Sequence, residues 1–335
     1  MNSIKKMMLS GALGCLISGM AYADGSSPQP VKPYWQDIQV VAVNKEKPRS
    51  SFMSYADRET ALTSRFEKSP YYSLLNGTWK FFFVDSYKDL PQNITDPSVN
   101  TSSWDDITVP GNWEVQGHGV AIYTNHGYEF KPRNPQPPLL PEANPVGVYR
   151  RDIEIPASWD NRDIYLHIGG AKSGLYVYLN GKEVGYSEDS KNPAEFLINK
   201  YLQPGKNVLT LKIFRWSTGS YLECQDFWRM SGIERDVFLW SQPKASIQDF
   251  RVVSTLDDTY TNGIFKLAVD LKNHTQETKN LNVGYELLDA KGNLMASEAN
   301  DIWVSPASPQ TASFEYDLKN VAPWSAEHPN LYKLL

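Results

Sequence analysis

Glu223 and Asp226, three positions apart, are the residues in this chain whose types and spacing first invite a chemical reading. They sit in "RWSTGSYLECQDFWRMSGIERD", residues 215–236, among Trp216, Tyr221, Phe227, Trp228, Arg215, Arg229, Arg235 and Cys224. Paired carboxylates do the acid–base and nucleophilic work of glycoside hydrolysis, roughly 5–10 Å apart on opposite sides of the bond. Two carboxylates in one short loop rarely flank a sugar from both sides, so the spacing points to capping, salt bridging or ion binding. For Asp226 the plain reading is a salt bridge to Arg229 or Arg235. Upstream, Asn125 precedes His126-Gly127, where its tolerance of positive φ makes it a turn residue. Cys15 and Cys224 are the only cysteines. An exported chain with one thiol keeps it buried, so Cys224 reads as packing rather than as a nucleophile. The five histidines are scattered and no Cys-x-x-Cys or His-x-x-x-His spacing occurs, which gives a zinc site no support. Neither a phosphate-cradling Gly loop nor a G-x-S-x-G elbow is present.

Positioning such residues falls to β-structure. The 335 residues suffice for two domains, with 41% hydrophobic and 21% charged side chains to build cores and surface. The aromatic share is 13%, which suits strands and binding surfaces alike. A net charge of −5 without a basic run argues against nucleic acid or an anionic membrane as partner.

Residues 1–23 read as a signal peptide: Lys5 and Lys6, an apolar stretch over 7–20, and "AYA" before Asp24. Export to the periplasm or the extracellular space is the expectation. No later stretch is apolar enough for a membrane span.

Residues 24–50 look like an extended arm, and 56–70 like one short helix. From residue 76 short alternating runs take over: "GTWKFFFVD", "GVYRRDIEIP", "DIYLHIGGA", "NVLTLKIFRW" and "RDVFLW". "GLYVYLNGKEVGYS" predicts a hairpin with a type I′ turn at Asn180-Gly181. Between them, residues 129–147 carry six prolines and form neither helix nor ladder strand. Such a loop is either functional or a rigid wrap across the sheet ends. The fold class is all-β: a jelly-roll β-sandwich over 51–242, then an immunoglobulin-like β-sandwich over 243–335. The last run, "NLYKLL", reads as the start of a strand, which would leave the second sandwich with an incomplete last strand and an unpaired edge.

Several segments together resemble the large β-galactosidases of glycoside hydrolase family 2. They are "SLLNGTWKF" (73–81), "VPGNWEVQGHGVAIYTN" (109–125), "EANPVGVY" (142–149), "YLNGKEVGYSEDSKNPAEF" (178–196), "RWSTGSYLECQDFWRMSGIERDV" (215–237) and "WSAEHPNLY" (324–332). The resemblance runs from about residue 35 to the end. It implies a jelly-roll sugar-binding domain and an immunoglobulin-like domain, followed in family members by a catalytic TIM barrel. Nothing here matches the barrel, so neither catalytic Glu nor the magnesium ligands have a counterpart, and no catalytic residue is assigned. Magnesium is expected only of a full-length enzyme.

Two family positions carry over: Asn125, from "YTN", as a galactose contact, and Asp226, from "QD", as a galactose contact and sodium ligand. Where the best-known members have Asp, this chain has Thr218 and Cys224, which weakens the implied ion site. The expected role is the non-catalytic amino-terminal part of an exported retaining β-galactosidase. The alternatives are a free-standing lectin-like module and a scaffold for a neighbouring domain. If the aromatic loop awaits cover from an absent barrel, the region of Trp216 and Trp228 should be unusually exposed.

Overall fold

The structure is a computed structural model, and it describes residues 32–130, 134–306 and 308–335. The proposed signal peptide lies outside the described residues.

Strand-forming runs up to Val237–Pro243 build two facing antiparallel sheets. The larger has seven strands, in the order Ala42–Val43, Lys182–Ser187, Gly174–Leu179, Lys206–Phe214, Val146–Glu154, Gly77–Val84, Asp105–Val109. The smaller has four, in the order Ala194–Leu197, Arg162–Ile168, Val237–Pro243, Tyr72–Leu74. Alternation places Trp79, Phe81, Tyr149, Val177 and Leu211 of the large sheet against Leu166, Phe196 and Leu239 of the small one, in one continuous core. Both outer faces are covered too. On the large sheet Trp35 and Trp104 pack with Val148, Tyr176 and Phe214; on the small sheet Met53 packs with Tyr165, Phe238 and Trp240.

The sequence reading of the hairpin is borne out in detail. Asn180 and Gly181 have φ of 53° and 78°, the two positive values a type I′ turn requires. Asn180 also accepts from Val208 N–H at 2.9 Å, tying the turn to the neighbouring strand. The arm is more than extended chain. Its Ala42–Val43 pairs with Ser187 and Tyr186, and Trp35 stacks on Phe214 at 5.0 Å and is fully buried. The short helix is confined to Arg58–Leu62, capped by Asp57, whose carboxylate accepts from Thr60 N–H at 2.8 Å, and a 3-10 turn follows at Phe66–Lys68.

The second sandwich begins at Ala245–Leu256, which pairs with Gly263–Asn273 and through it with Gln310–Leu318. Facing that sheet, Lys279–Leu288 pairs with Leu294–Val304 on one side and Lys333–Leu334 on the other. Phe265, Leu267, Val283, Tyr285 and Phe314 fill the space between. The strands Lys279–Leu288 and Leu294–Val304 are joined by a turn through Lys291-Gly292-Asn293, with Gly292 at φ 86°. The all-β class and the two-sandwich architecture are as the sequence implied.

Residues 44–53 run between the sandwiches. Glu46 N–H donates to Glu195 C=O at 2.8 Å, and Ser50 N–H to Asp249 Oδ1 at 2.8 Å. Beside them Arg49 forms a bidentate pair with Glu195, with both contacts at 2.8 Å.

Candidate functional site

The loop that opened the sequence reading folds back on a distant segment. Phe227–Arg229 pairs antiparallel with Ile122–Thr124, joining Phe227 to Thr124, Trp228 to Tyr123 and Arg229 to Ile122. Asp226 and Asn125 flank the last pair of this ladder, and at Asp226 the chain turns, with Phe227 N–H donating back to Gln225 C=O at 3.0 Å. Residues a hundred positions apart thus meet at one end of a two-stranded ribbon.

The alternation of a ribbon then sorts its side chains. Tyr123, Asn125, Asp226 and Trp228 are exposed, whereas Ile122, Thr124 and Phe227 are half-buried and Arg229 is buried. The outer face therefore carries the Tyr123 and Trp228 rings with the Asp226 carboxylate beside them, and Asn125 is exposed just past the strand end. Tyr123 and Trp228 rings lie 5.7 Å apart, and the Tyr123 hydroxyl donates to Asp226 Oδ1 at 2.8 Å. That hydrogen bond to a carboxylate pushes the Tyr123 phenol pKa up. Asn125 Oδ1 lies 2.7 Å from His126 Nδ1.

Beneath the ribbon a buried charge lattice fixes its position. Arg215 Nη2 donates to Val120 C=O at 2.9 Å and Arg229 C=O at 3.2 Å, gripping both strands. Arg215 lies 3.6 Å from Glu114, whose carboxylate accepts from Ser231 N–H at 2.9 Å. Burial raises the Glu114 pKa. Arg229 is buried 3.8 Å from Glu129, and among the described residues its Nε has no hydrogen-bond partner. Lys172, buried alongside, has its pKa lowered by desolvation.

Several expectations about this loop change. Asp226 makes no salt bridge to Arg229 or Arg235; its partner is Tyr123. Glu223 turns away and caps the loop at Ser190, accepting from its N–H at 2.7 Å and its hydroxyl at 2.6 Å. The two carboxylates thus serve different structures, as the spacing argument anticipated. Trp216 is buried at 8% exposure, against the expectation that its region would be open, whereas Trp228 is 53% exposed. The reason is local. Trp216 donates from Nε1 to Glu129 at 3.1 Å and packs on Phe130, both from the proline-rich loop. That loop also contributes Asn144, which exchanges hydrogen bonds with the Trp216 backbone at 2.8 and 3.1 Å. Cys224 is only partly buried; its Sγ meets Gly127 C=O and lies 3.4 Å from Arg229 Nη2. Burial pushes its thiol pKa up, as suits a packed rather than a reactive cysteine. Thr218 donates to the buried Glu188 carboxylate at 3.0 Å.

The sequence reading missed Tyr123 and Trp228 as members of the site. Period-two alternation through "IYTN" and "DFWR" was the available signal, but only the pairing shows that the two runs share a face. Among the described residues no three His, Cys, Asp or Glu side chains gather to hold a metal ion. Asp226 offers a hard cation a single carboxylate, fewer oxygens than such an ion ordinarily takes.

Tandem β-sandwiches, the first carrying an exposed polar–aromatic ribbon, define an all-β chain of two modules. The chain belongs to the glycosyl hydrolases of family 2: residues 72–243 match the family's sugar binding domain and residues 245–335 match a second family 2 domain. It is 38% identical to a beta-galactosidase of Priestia megaterium over 90% of this chain and 30% of the relative. A beta-galactosidase of Psychromonas ingrahamii is 33% identical over 90% of this chain and 29% of its own length. The chain thus spans about 30% of the length of the curated relatives it matches. Among solved structures, a Bacteroides uniformis beta-glucuronidase superposes with a TM-score of 0.65 at 20% identity, over 78% of this chain and 29% of that one. No helix among the described residues is long and apolar enough to cross a membrane.

Proposed function

We propose that this chain is the non-catalytic amino-terminal part of an exported retaining β-galactosidase, and that it contributes one wall of the pocket for a terminal β-D-galactosyl residue. The observation that carries the reading is the exposed Asp226 carboxylate, held by the Tyr123 hydroxyl beside the open Trp228 ring at the end of the ladder, where Asn125 is also exposed. Sugar hydroxyls are recognised by fixed amide and carboxylate groups; Asp226 is held by Tyr123 of the ribbon, and Asn125 by its neighbour His126. The curated relatives that match over most of this chain are beta-galactosidases, which supports galactose as the sugar.

In a retaining hydrolase one carboxylate attacks the anomeric carbon and another protonates the leaving oxygen, from opposite sides of the bond. The ribbon supplies neither arrangement, because Glu223 is committed to Ser190. Its part is binding: Asp226 accepts from sugar hydroxyls, and Asn125 both donates and accepts. Sodium, if taken up, would find one ligand in Asp226, with further oxygens from water or another polypeptide. Magnesium belongs to the full-length enzyme.

The test is hydrolysis and binding by the purified chain. It should release no nitrophenol from a nitrophenyl β-galactoside, and turnover that survives rigorous purification would overturn the reading. A second reading, a free-standing lectin-like module, is favoured by the exposed Tyr123 and Trp228 rings, since aromatic faces stack on sugars. Millimolar or tighter galactose binding by the chain alone, lost in Asp226→Ala, selects the module. Absence of binding selects a half-site completed by other polypeptide.

A further inference from the structure

The two sandwiches leave a cavity of about 310 Å³ between them, lined in part by residues 46–49 of the arm. Small-molecule sites run roughly 300–1,000 Å³ and favour junctions of this kind, so the volume stands at their lower end. Part of the wall is saturated. Glu195 already accepts from Arg49, His167 and Trp240. The Trp240 ring is covered by Tyr165 at 4.8 Å and by the Arg49 guanidinium at 4.3 Å. Neither Glu195 nor Trp240 has much left to offer a ligand.

Glu46, Gln248 and Lys272 differ. Glu46 is half-buried, burial raises its pKa, and among the described residues its carboxylate has no hydrogen-bond partner. Its backbone is fixed all the same, through the N–H bond to Glu195 C=O at 2.8 Å. Gln248 is the extra residue of a β-bulge: Ile247 pairs with Leu271 and Asp249 with Asp270, which leaves Gln248 with no residue opposite. A bulge re-aims a side chain out of strand alternation. Gln248 lines the cavity, and among the described residues its amide makes no hydrogen bond. Lys272 is buried, and its ammonium meets the Tyr165 hydroxyl and, at 3.0 Å, the Gln242 side-chain oxygen. One of its three N–H bonds is left over.

These open valences are mixed. A carboxylate accepts, an ammonium donates and an amide does both, as does a hydroxyl. The charges of the lining nearly balance, with Glu46, Glu195, Asp249 and Asp270 against Lys47, Arg49 and Lys272, so a strongly charged ligand gains nothing there. The size admits one sugar ring rather than a chain of them. We propose that the junction cavity is a carbohydrate site separate from the ribbon, which takes a single neutral hexose and holds it through Glu46, Gln248 and Lys272. It shares no residue with the ribbon face. Glu46 belongs to the arm and Gln248 and Lys272 to the second sandwich, while Tyr165 and Gln242 of the first stand behind Lys272. An occupant therefore ties three parts of the chain together and stabilises the folded state.

The probe is D-galactose, with D-glucose beside it, added to the full chain while thermal unfolding is followed. Sugars excluded from a protein surface raise Tm in proportion to their concentration, whereas a bound ligand adds a component that depends on a binding midpoint. Such a component is expected with at least one of the two hexoses. Glu46→Ala and Gln248→Ala should each move its midpoint to about tenfold higher sugar concentration. Both variants should fold, since neither side chain holds a hydrogen bond in the chain without sugar. Asp226→Ala should leave the curve where it is, which separates this site from the ribbon. A purely proportional rise with both sugars means surface exclusion only and overturns the proposal. So does a binding component that Glu46→Ala and Gln248→Ala leave unmoved, or one that Asp226→Ala removes. None of these results counts against the ribbon as part of a galactose pocket.

Discussion

At the scale of single residues, Asp226 and Glu195 show how place decides what a carboxylate does. Asp226 is exposed and, among the described residues, has one hydrogen-bond partner, the Tyr123 hydroxyl. Its replacement by Ala should abolish any galactose binding yet shift stability by only about 0.5 kcal/mol, as surface substitutions do. Isothermal titration set beside a urea melt separates the two effects. A large loss of stability would mean that Asp226 is structural. Glu195 has the opposite character. Burial alone would raise its pKa, but hydrogen bonds from His167 and Arg49, and the charge of Arg49, outweigh burial and hold it at about 2, from an ordinary 4.5. A depressed carboxylate contributes stability that is complete above its unfolded pKa and is lost as pH falls toward the folded one. The urea midpoint of the chain should therefore drop between about pH 4.5 and pH 2, and Glu195→Gln should flatten that part of the profile. Breaking this buried pair should also cost about 3–5 kcal/mol at neutral pH, because Arg49 is left without its partner. A midpoint unchanged by Glu195→Gln at pH 7 would show that the pair contributes nothing.

At the scale of elements, close approach is what the ribbon and its sheet depend on. A Cβ on Gly147 would stand 2.6 Å from the Trp113 ring and 2.7 Å from the Phe81 ring. Trp113, in the segment that leads to Ile122–Thr124, in turn donates to the Tyr149 hydroxyl at 2.5 Å. Gly147→Ala should destabilise the first sandwich by about 1–3 kcal/mol through overpacking, read as an earlier urea midpoint. A neutral result would mean that the rings can move aside. The turn at Asn180-Gly181 was legible because φ preferences are local. Pairing of Phe227–Arg229 with Ile122–Thr124 was not, because nothing in either short run names its partner.

At the scale of the whole molecule, the two sandwiches and the chain between them are joined by charge as well as by apolar contact. His274 Nδ1 of the second sandwich lies 2.7 Å from Asp163 of the first, and the Lys272 ammonium meets the Tyr165 hydroxyl. Lys272 is buried there, and desolvation lowers its pKa. The Gln242 side-chain oxygen also accepts from Lys272 Nζ at 3.0 Å, so losing the Tyr165 hydroxyl removes one of two acceptors and Tyr165→Phe should cost about 1 kcal/mol. If the sandwiches unfold in one transition, calorimetry should show that single peak moving down. Two peaks, of which only one moves, would show that the junction does not couple them.

The sequence by itself determined the class of elements and where most of them fall. Alternation, the Asn-Gly turn and the proline-rich interruption act within a few residues and do not depend on the rest of the chain. It also carried the family resemblance, and with it Asn125 and Asp226 as residues to watch. The tertiary structure decided which aromatic ring of the loop is covered and which is open. Trp216 is closed in by Glu129, Phe130 and Asn144, while Trp228, twelve positions on, falls on the outer face of the ribbon. It also placed Asp226 on the Tyr123 hydroxyl and turned Glu223 away to Ser190. Such outcomes follow from packing and register between distant segments. They emerge only when chain closure brings those segments together, and no local preference encodes them.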